Sequence, residues 1–153
     1  TTARILSAAD TLFAEVGYDG VSVRDVAREA GVNKALVFYH HGNKEALFER
    51  VLQGYYDRHQ QALFSAMSSE LPPRERLLGL IDAYLDFVAE NRHYARLVQR
   101  QVASAGPAHA LIQSNLAALF EWLVQAMKGI APEEGPRSSK HLFVTIAGAA
   151  INY

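Results

Sequence analysis

The chain has 153 residues, 50% hydrophobic and 20% charged, with a formal net charge of −1. That composition fits a soluble globular protein with a sizeable core and argues against disorder. Near-neutrality excludes polyanion binding by the molecule as a whole, so any nucleic-acid contact must come from a local patch. The lack of cysteine removes disulfides, thiolate metal sites and a cysteine nucleophile from consideration.

Apolar residues recur at helical spacing almost throughout, and no stretch alternates with period two long enough to support a sheet. The expected class is therefore all-α. Ile5, Leu6, Ala9, Leu12, Phe13 and Val16 give a first helix from about Thr2 to Val16, with Gly17 placed for a left-handed cap. Ser22 followed by Asp25 reads as a capping box ahead of a second helix near 23–30, which Gly31 ends. Asn33 can cap a very short third helix, 34–40, before Gly42 interrupts the chain again. Asn43 caps a long fourth helix in which Leu47, Val51, Tyr55, His59, Leu63 and Met67 keep one face, ending near Ser69.

Pro72 and Pro73 lead a fifth helix carrying Leu77, Leu78, Ile81, Tyr84, Leu85 and Val88. A sixth runs from about His93 to Ala103, and a strongly apolar seventh carries Leu111 to Met127. After a loop rich in Pro and Gly, an eighth starts near Arg137. The chain opens without Met on a helical pattern and stops without a helix-ending signal, so a fragment lacking both termini is expected. No apolar run approaches the roughly 20 residues of a membrane span, and no signal peptide is visible, so a cytoplasmic location is expected.

Residues 23–40 hold the pieces of a helix-turn-helix. Ala27 is small where two helix axes must approach, Gly31 can take a positive φ, and Val26, Val32 and Val37 supply the contacts that fix the crossing. The rest of the second helix is left to project, as a helix lying in a DNA major groove must. Between residues 20 and 44, Arg24, Arg28, Lys34 and Lys44 stand against Asp25 and Glu29, a balance of plus two in a neutral protein. Residues 1–50, however, carry six Lys/Arg against seven Asp/Glu, which weighs against a broad basic surface.

The stretch GYDGVSVRDVAREAGVNKALVFYHHGNKEALF, residues 17–48, resembles the DNA-binding segment of the tetracycline-repressor (TetR) family of bacterial transcriptional regulators. The resemblance rests on Ser22, Val26-Ala27, Ala30-Gly31-Val32, Phe38-Tyr39-His40 and Lys44-Glu45. It implies that Asn33, Lys34, Ala35, Leu36, Tyr39 and His40 face the operator, and that Ser22 and Lys44 bind backbone phosphates near helix N-termini. Phe38 stands where the family commonly has Tyr, His41 where it has a buried Phe, and Ala35 where Gly is frequent.

The resemblance further implies two parts: residues 1–43 as an N-terminal three-helix domain that binds DNA, and 44–153 as an antiparallel helical bundle that binds a ligand and forms the homodimer. Aromatic side chains with polar tips can build a pocket for a small amphipathic effector, and His59, Tyr84, Phe87, Tyr94 and Trp122 are its candidate lining. Trp122 falls off the stripe formed by Leu119, Leu123 and Met127. The small, apolar TIAGAAI seam of the eighth helix suits close packing between subunits.

No cofactor is expected. Adjacent His40 and His41 point about 100° apart on a helix, a poor start for a metal site. No phosphate loop, GxSxG elbow or HExxH motif occurs, so no catalytic residue is assigned. The expected function is a ligand-responsive regulator, a repressor released from a palindromic operator by a small molecule. The alternatives are an all-α carrier or enzyme in which the helix-turn-helix is only structural, and an architectural DNA binder without a ligand.

Overall fold

A computed structural model describes residues 1–67, 70–104, 109–127, 131–132 and 134–152. Within these ranges some side chains, including Met67, Trp122, Phe143 and most of the TIAGAAI seam, lie outside the described residues. Among the described residues eight helices follow in order: α1 (Thr2–Val16), α2 (Val23–Glu29), α3 (Lys34–His41), α4 (Lys44–Met67), α5 (Pro73–Glu90), α6 (Arg92–Ser104), α7 (His109–Ala126) and α8 (Ser139–Asn152). Among the described residues all regular structure is helical, in accord with the periodicity. Expected boundaries among the described residues are met within one or two residues, while the expected end of α4 near Ser69 lies outside them.

The chain divides into two compact units: residues 1–55 with 93–111, and residues 56–92 with 112–153. The first unit extends beyond residue 43 to take in the start of α4 and nearly all of α6. Its core is set by α1, whose Ile5, Ala9, Phe13 and Ala14 are wholly buried. Phe13 meets Phe48 of α4 edge-on with ring centroids 4.9 Å apart, and Tyr18 lies 5.0 Å from Phe48. Such offset aromatic contacts exceed the worth of their buried area by about 0.5–1.5 kcal/mol per pair. Val26, Ala27 and Ala30 of α2, Val37 of α3, and Leu47, Val51 and Leu52 of α4 complete the core.

Polar links join α1 to α4 and α6 inside this unit. The Tyr55 hydroxyl donates to the Asp10 carboxylate, 2.7 Å from either oxygen. His93 Nδ1 lies 3.5 Å from the same carboxylate. Arg100 Nη2 donates to the Glu15 carbonyl at 3.0 Å, satisfying one of the acceptors that the end of α1 leaves unpaired. Gly17 closes α1 at φ 91° and ψ 165°. That is an extended conformation open almost only to glycine, not the left-handed cap expected.

In the second unit, His59 and Leu63 of α4, Leu80, Tyr84 and Phe87 of α5, and Ile112 of α7 are buried, and α5 packs on α8.

Candidate nucleic-acid interface

The presentation of α3 begins with α2. The Ser22 hydroxyl accepts from the Asp25 amide at 3.2 Å, while the Asp25 carboxylate accepts from the Ser22 amide at 3.0 Å and from its hydroxyl at 2.6 Å. This is the expected capping box. The two Ser22 bonds hold the Asp25 carboxyl below its usual range, and Arg28 pairs with it at 3.0 Å. At the other end of α2, the Val32 amide donates to the Ala27 carbonyl at 2.9 Å and the Gly31 amide to the Arg28 carbonyl at 3.1 Å. Those two bonds are a Schellman closure, which requires a left-handed residue between them. Gly31 supplies it with φ at 62°.

Asn33 then caps α3, its Oδ1 accepting from the Ala35 amide at 2.9 Å. Val37 is the buried residue of this helix, seated on the core at 2% exposure. Lys34, Ala35, Leu36, Phe38, Tyr39 and His40 are all exposed, Tyr39 by 83%. One fully buried side chain therefore anchors an eight-residue helix on which, His41 apart, the other side chains face outward. Asn33 shares that exposure, and its side-chain amide nitrogen carries donors that the cap does not use.

The departures at 38 and 41 have physical accommodations, and His40 between them has a partner of its own. The Phe38 ring lies 5.2 Å from Lys34 Nζ, a cation–π distance, and His40 Nδ1 lies 3.5 Å from the Thr2 hydroxyl of α1. His41 is partly buried, with Nε2 lacking a hydrogen-bond partner. Burial, then His40 and Arg50, push its pKa down. The uncharged form of the ring is thereby favoured at this position.

Both expected phosphate ligands have internal partners. The one hydroxyl proton of Ser22 goes to Asp25. Lys44 Nζ donates to the carbonyls of Tyr18 at 2.8 Å and Val21 at 3.0 Å, and sits 4.2 Å from the centroid of the Tyr18 ring. In front of this turn is an open depression of about 440 Å³, lined in part by Ser22, Arg24, Lys34, Phe38 and Lys44. Arg24, which entered the sequence reading only through the charge count, is exposed on that wall.

Residues 5–51 match the family described as bacterial regulatory proteins, tetR family. YttP of Bacillus subtilis, described as a probable HTH-type transcriptional regulator, is 28% identical over 144 residues, which are 93% of this chain and 68% of that protein. The HTH-type transcriptional repressor KstR2 of Mycolicibacterium smegmatis is 37% identical over 93 residues, 58% of this chain and 43% of KstR2. This chain has the helix-turn-helix segment of the TetR family. Its fold is shared with the ketosteroid transcriptional regulator KstR2 of Mycobacterium tuberculosis, at a TM-score of 0.79 and 21% identity, over 99% of this chain and 80% of that one. It is shared as well with the fatty acid degradation regulator FadR of Bacillus halodurans, at a TM-score of 0.80 and 22% identity, over 99% and 84%.

The segment matched is a bacterial regulatory helix-turn-helix, and each of these relatives is named as a transcriptional regulator. The match to the Mycolicibacterium repressor spans less than half of that protein.

The expected effector residues are only partly gathered. His59, Tyr84 and Phe87 meet in the second unit: the imidazole stacks on Phe87 at 4.5 Å and 9°, and its centroid is 5.2 Å from Tyr84. His59 is 3% exposed with Nε2 lacking a hydrogen-bond partner. Burial lowers its pKa to about 4 and raises that of Tyr84 to about 12. Tyr94 belongs to the first unit, where its ring is 5.3 Å from Tyr55. The side chain of Trp122 lies outside the described residues. An open cleft of about 710 Å³ in the second unit is walled by Gln60, Gln61, Leu63, Phe64 and Ala118 among others, and no expected effector residue is among its described walls.

Among the described residues no helix is long and apolar enough to cross a membrane.

Proposed function

We propose that the protein binds an inverted-repeat operator in double-stranded DNA as a homodimer in the cytoplasm, and that a small, largely apolar effector releases it. It acts as a repressor without catalysis of its own. The observation that carries this reading is the exposure of α3: Val37 holds the helix while Lys34, Ala35, Leu36, Tyr39 and His40 project from it, with Asn33 at its start. A helix so mounted presents base-reading side chains to a major groove, and a dimer would place two of them in successive grooves. Lys34 and Arg24 add local positive charge beside this helix in a chain that is nearly neutral as a whole.

The second unit, residues 56–92 with 112–153, is the proposed effector domain. Support comes from the uncharged, aromatic setting of His59, Tyr84 and Phe87, and from relatives named for ketosteroids and fatty acids. A neutral imidazole offers one donor and one acceptor, suited to a single carbonyl or hydroxyl on an otherwise apolar molecule. The α4 helix runs unbroken from Lys44 to Met67 and takes part in both units, which supports it as the transmitter of the effector's presence. A hundredfold difference in effector affinity between the two shapes would supply about 3 kcal/mol of coupling. Dimerisation through α8 is supported by Val144, a large apolar side chain left 67% exposed.

The test is selection of bound sites from random duplex DNA, followed by competition with fatty-acyl and steroid compounds. Recovery of an inverted repeat whose binding an apolar compound relieves is the expected result. Recovery of no repeat would return the carrier reading to first place, and tight binding that no compound relieves would favour an architectural binder.

A further inference from the structure

The side chains that open α3 share one chemical character. Asn33 Oδ1 accepts from the Ala35 amide at 2.9 Å. A backbone N–H can only donate, so the capping end of the side-chain amide must be its oxygen. The nitrogen end is left on an exposed residue, with both of its N–H groups outside that bond. Lys34 follows, exposed as well, and an ammonium carries donors and no acceptor. Its Nζ lies 5.2 Å from the centroid of the Phe38 ring, which steadies the charge against the outer face of the same helix. Ala35 and Leu36 are exposed and apolar. Across residues 33–36 the side chains therefore offer donors, and their one acceptor is the oxygen that already caps the helix.

Base edges in a major groove differ in what they ask of such a surface. Guanine shows two neighbouring acceptors, N7 and O6, whereas adenine sets an amino donor beside N7, cytosine shows an amino donor, and thymine has one acceptor beside a methyl group. An asparagine often grips adenine with its oxygen and nitrogen together. Here an adenine amino group would have to share the oxygen that holds α3, and the neighbouring ammonium offers it no acceptor.

We infer that Asn33 is a specificity-determining residue that selects guanine through its side-chain nitrogen while its oxygen keeps the helix capped, and that Lys34 favours the same acceptor-rich edge. This inference rests on the DNA-binding reading above and adds to it the base met by the start of α3.

The test compares sites selected from random duplex DNA by the unsubstituted chain and by Asn33→Ser, which keeps a capping oxygen and loses the amide nitrogen. One position in each half-site should pass from a G·C pair to indifference while the rest of the repeat is retained, and the discrimination lost there should be roughly fivefold or more. Asn33→Asp, which also caps but exchanges donors for an acceptor, should reject guanine at that same position.

A G·C preference that survives in both variants overturns the proposal, as does an A·T pair at the position that Asn33→Ser releases. Should neither variant fold, nitrogen-15 NMR of the Asn33 side-chain amide in the unsubstituted chain decides. A shift on adding the selected operator is expected, smaller when one guanine per half-site is replaced by an analogue lacking N7 or one lacking O6. No shift, or one that no such replacement alters, overturns the proposal. If the unsubstituted chain recovers no repeat, the regulator reading falls together with this inference, whereas a repeat indifferent to residue 33 overturns the inference alone.

Discussion

Two residues show how differently exposure and burial are used in this chain. Tyr39 is 83% exposed with its ring 5.2 Å from His40, so it adds almost nothing to folding. Tyr39→Ala should shift unfolding free energy by less than about 0.5 kcal/mol while weakening operator binding by about 1 kcal/mol or more, roughly fivefold. Chemical denaturation and a binding titration on the same preparation check this, and an equal loss in both would show the ring to be structural. His59 is the opposite case. Above pH 6.5 its imidazole is uncharged whether the chain is folded or not, so its contribution is complete there. As pH falls below 6.5 the unfolded chain takes up a proton that the folded site refuses until about pH 4. Stability should therefore drop by about 3 kcal/mol across that window on account of this residue. In His59→Phe, which keeps a ring against Phe87 and removes an unpaired nitrogen, that part of the acid loss should vanish, as denaturant titrations at pH 7 and pH 4.5 would reveal.

Short elements here are decided by their ends. Eight residues are too few for a helix to persist on its own, and α3 exists because Asn33 caps it, Gly42 releases it and Val37 seats it. Gly31 makes the turn before it possible, and a Cβ built there would meet nothing within 4 Å, so the demand is conformational alone. Gly31→Ala should cost about 1 kcal/mol, and Gly31→Asn less, since Asn tolerates the left-handed region. An equal cost for both, measured by thermal unfolding, would point to a packing demand the structure does not show. These ends were legible in the sequence, because Ser-x-x-Asp, Gly and Asn signal through local backbone chemistry. The projecting face of α3 was legible for the same reason. What the sequence did not disclose is long-range pairing: the turn from Lys44 to carbonyls 23 and 26 residues away, and the meeting of Asp10, Tyr55 and His93. Spacing carries no trace of contacts between distant segments. That Tyr94 packs beside Tyr55 in the first unit was hidden for the same reason, since an aromatic on a helical stripe says nothing about which unit it will pack into.

At the scale of the molecule, the proposed pairing of two reading helices is a statement about DNA length as much as about protein. B-form DNA repeats about every 10.5 base pairs, so two α3 helices on one side of a duplex require half-sites about one turn apart or a multiple of it. Inserting five base pairs at the centre of a selected operator would rotate one half-site by nearly half a turn while leaving every base contact in each half intact. Binding should then fall toward the level of a single half-site. Inserting ten or eleven restores the facing of the half-sites but moves them about 34 Å further apart, so recovery depends on whether the dimer can span the extra turn. An operator indifferent to the five-pair insertion would mean that each copy reads alone. In that event the helix-turn-helix would still be a DNA reader, but coupling through α4 could not act by changing the separation of two heads.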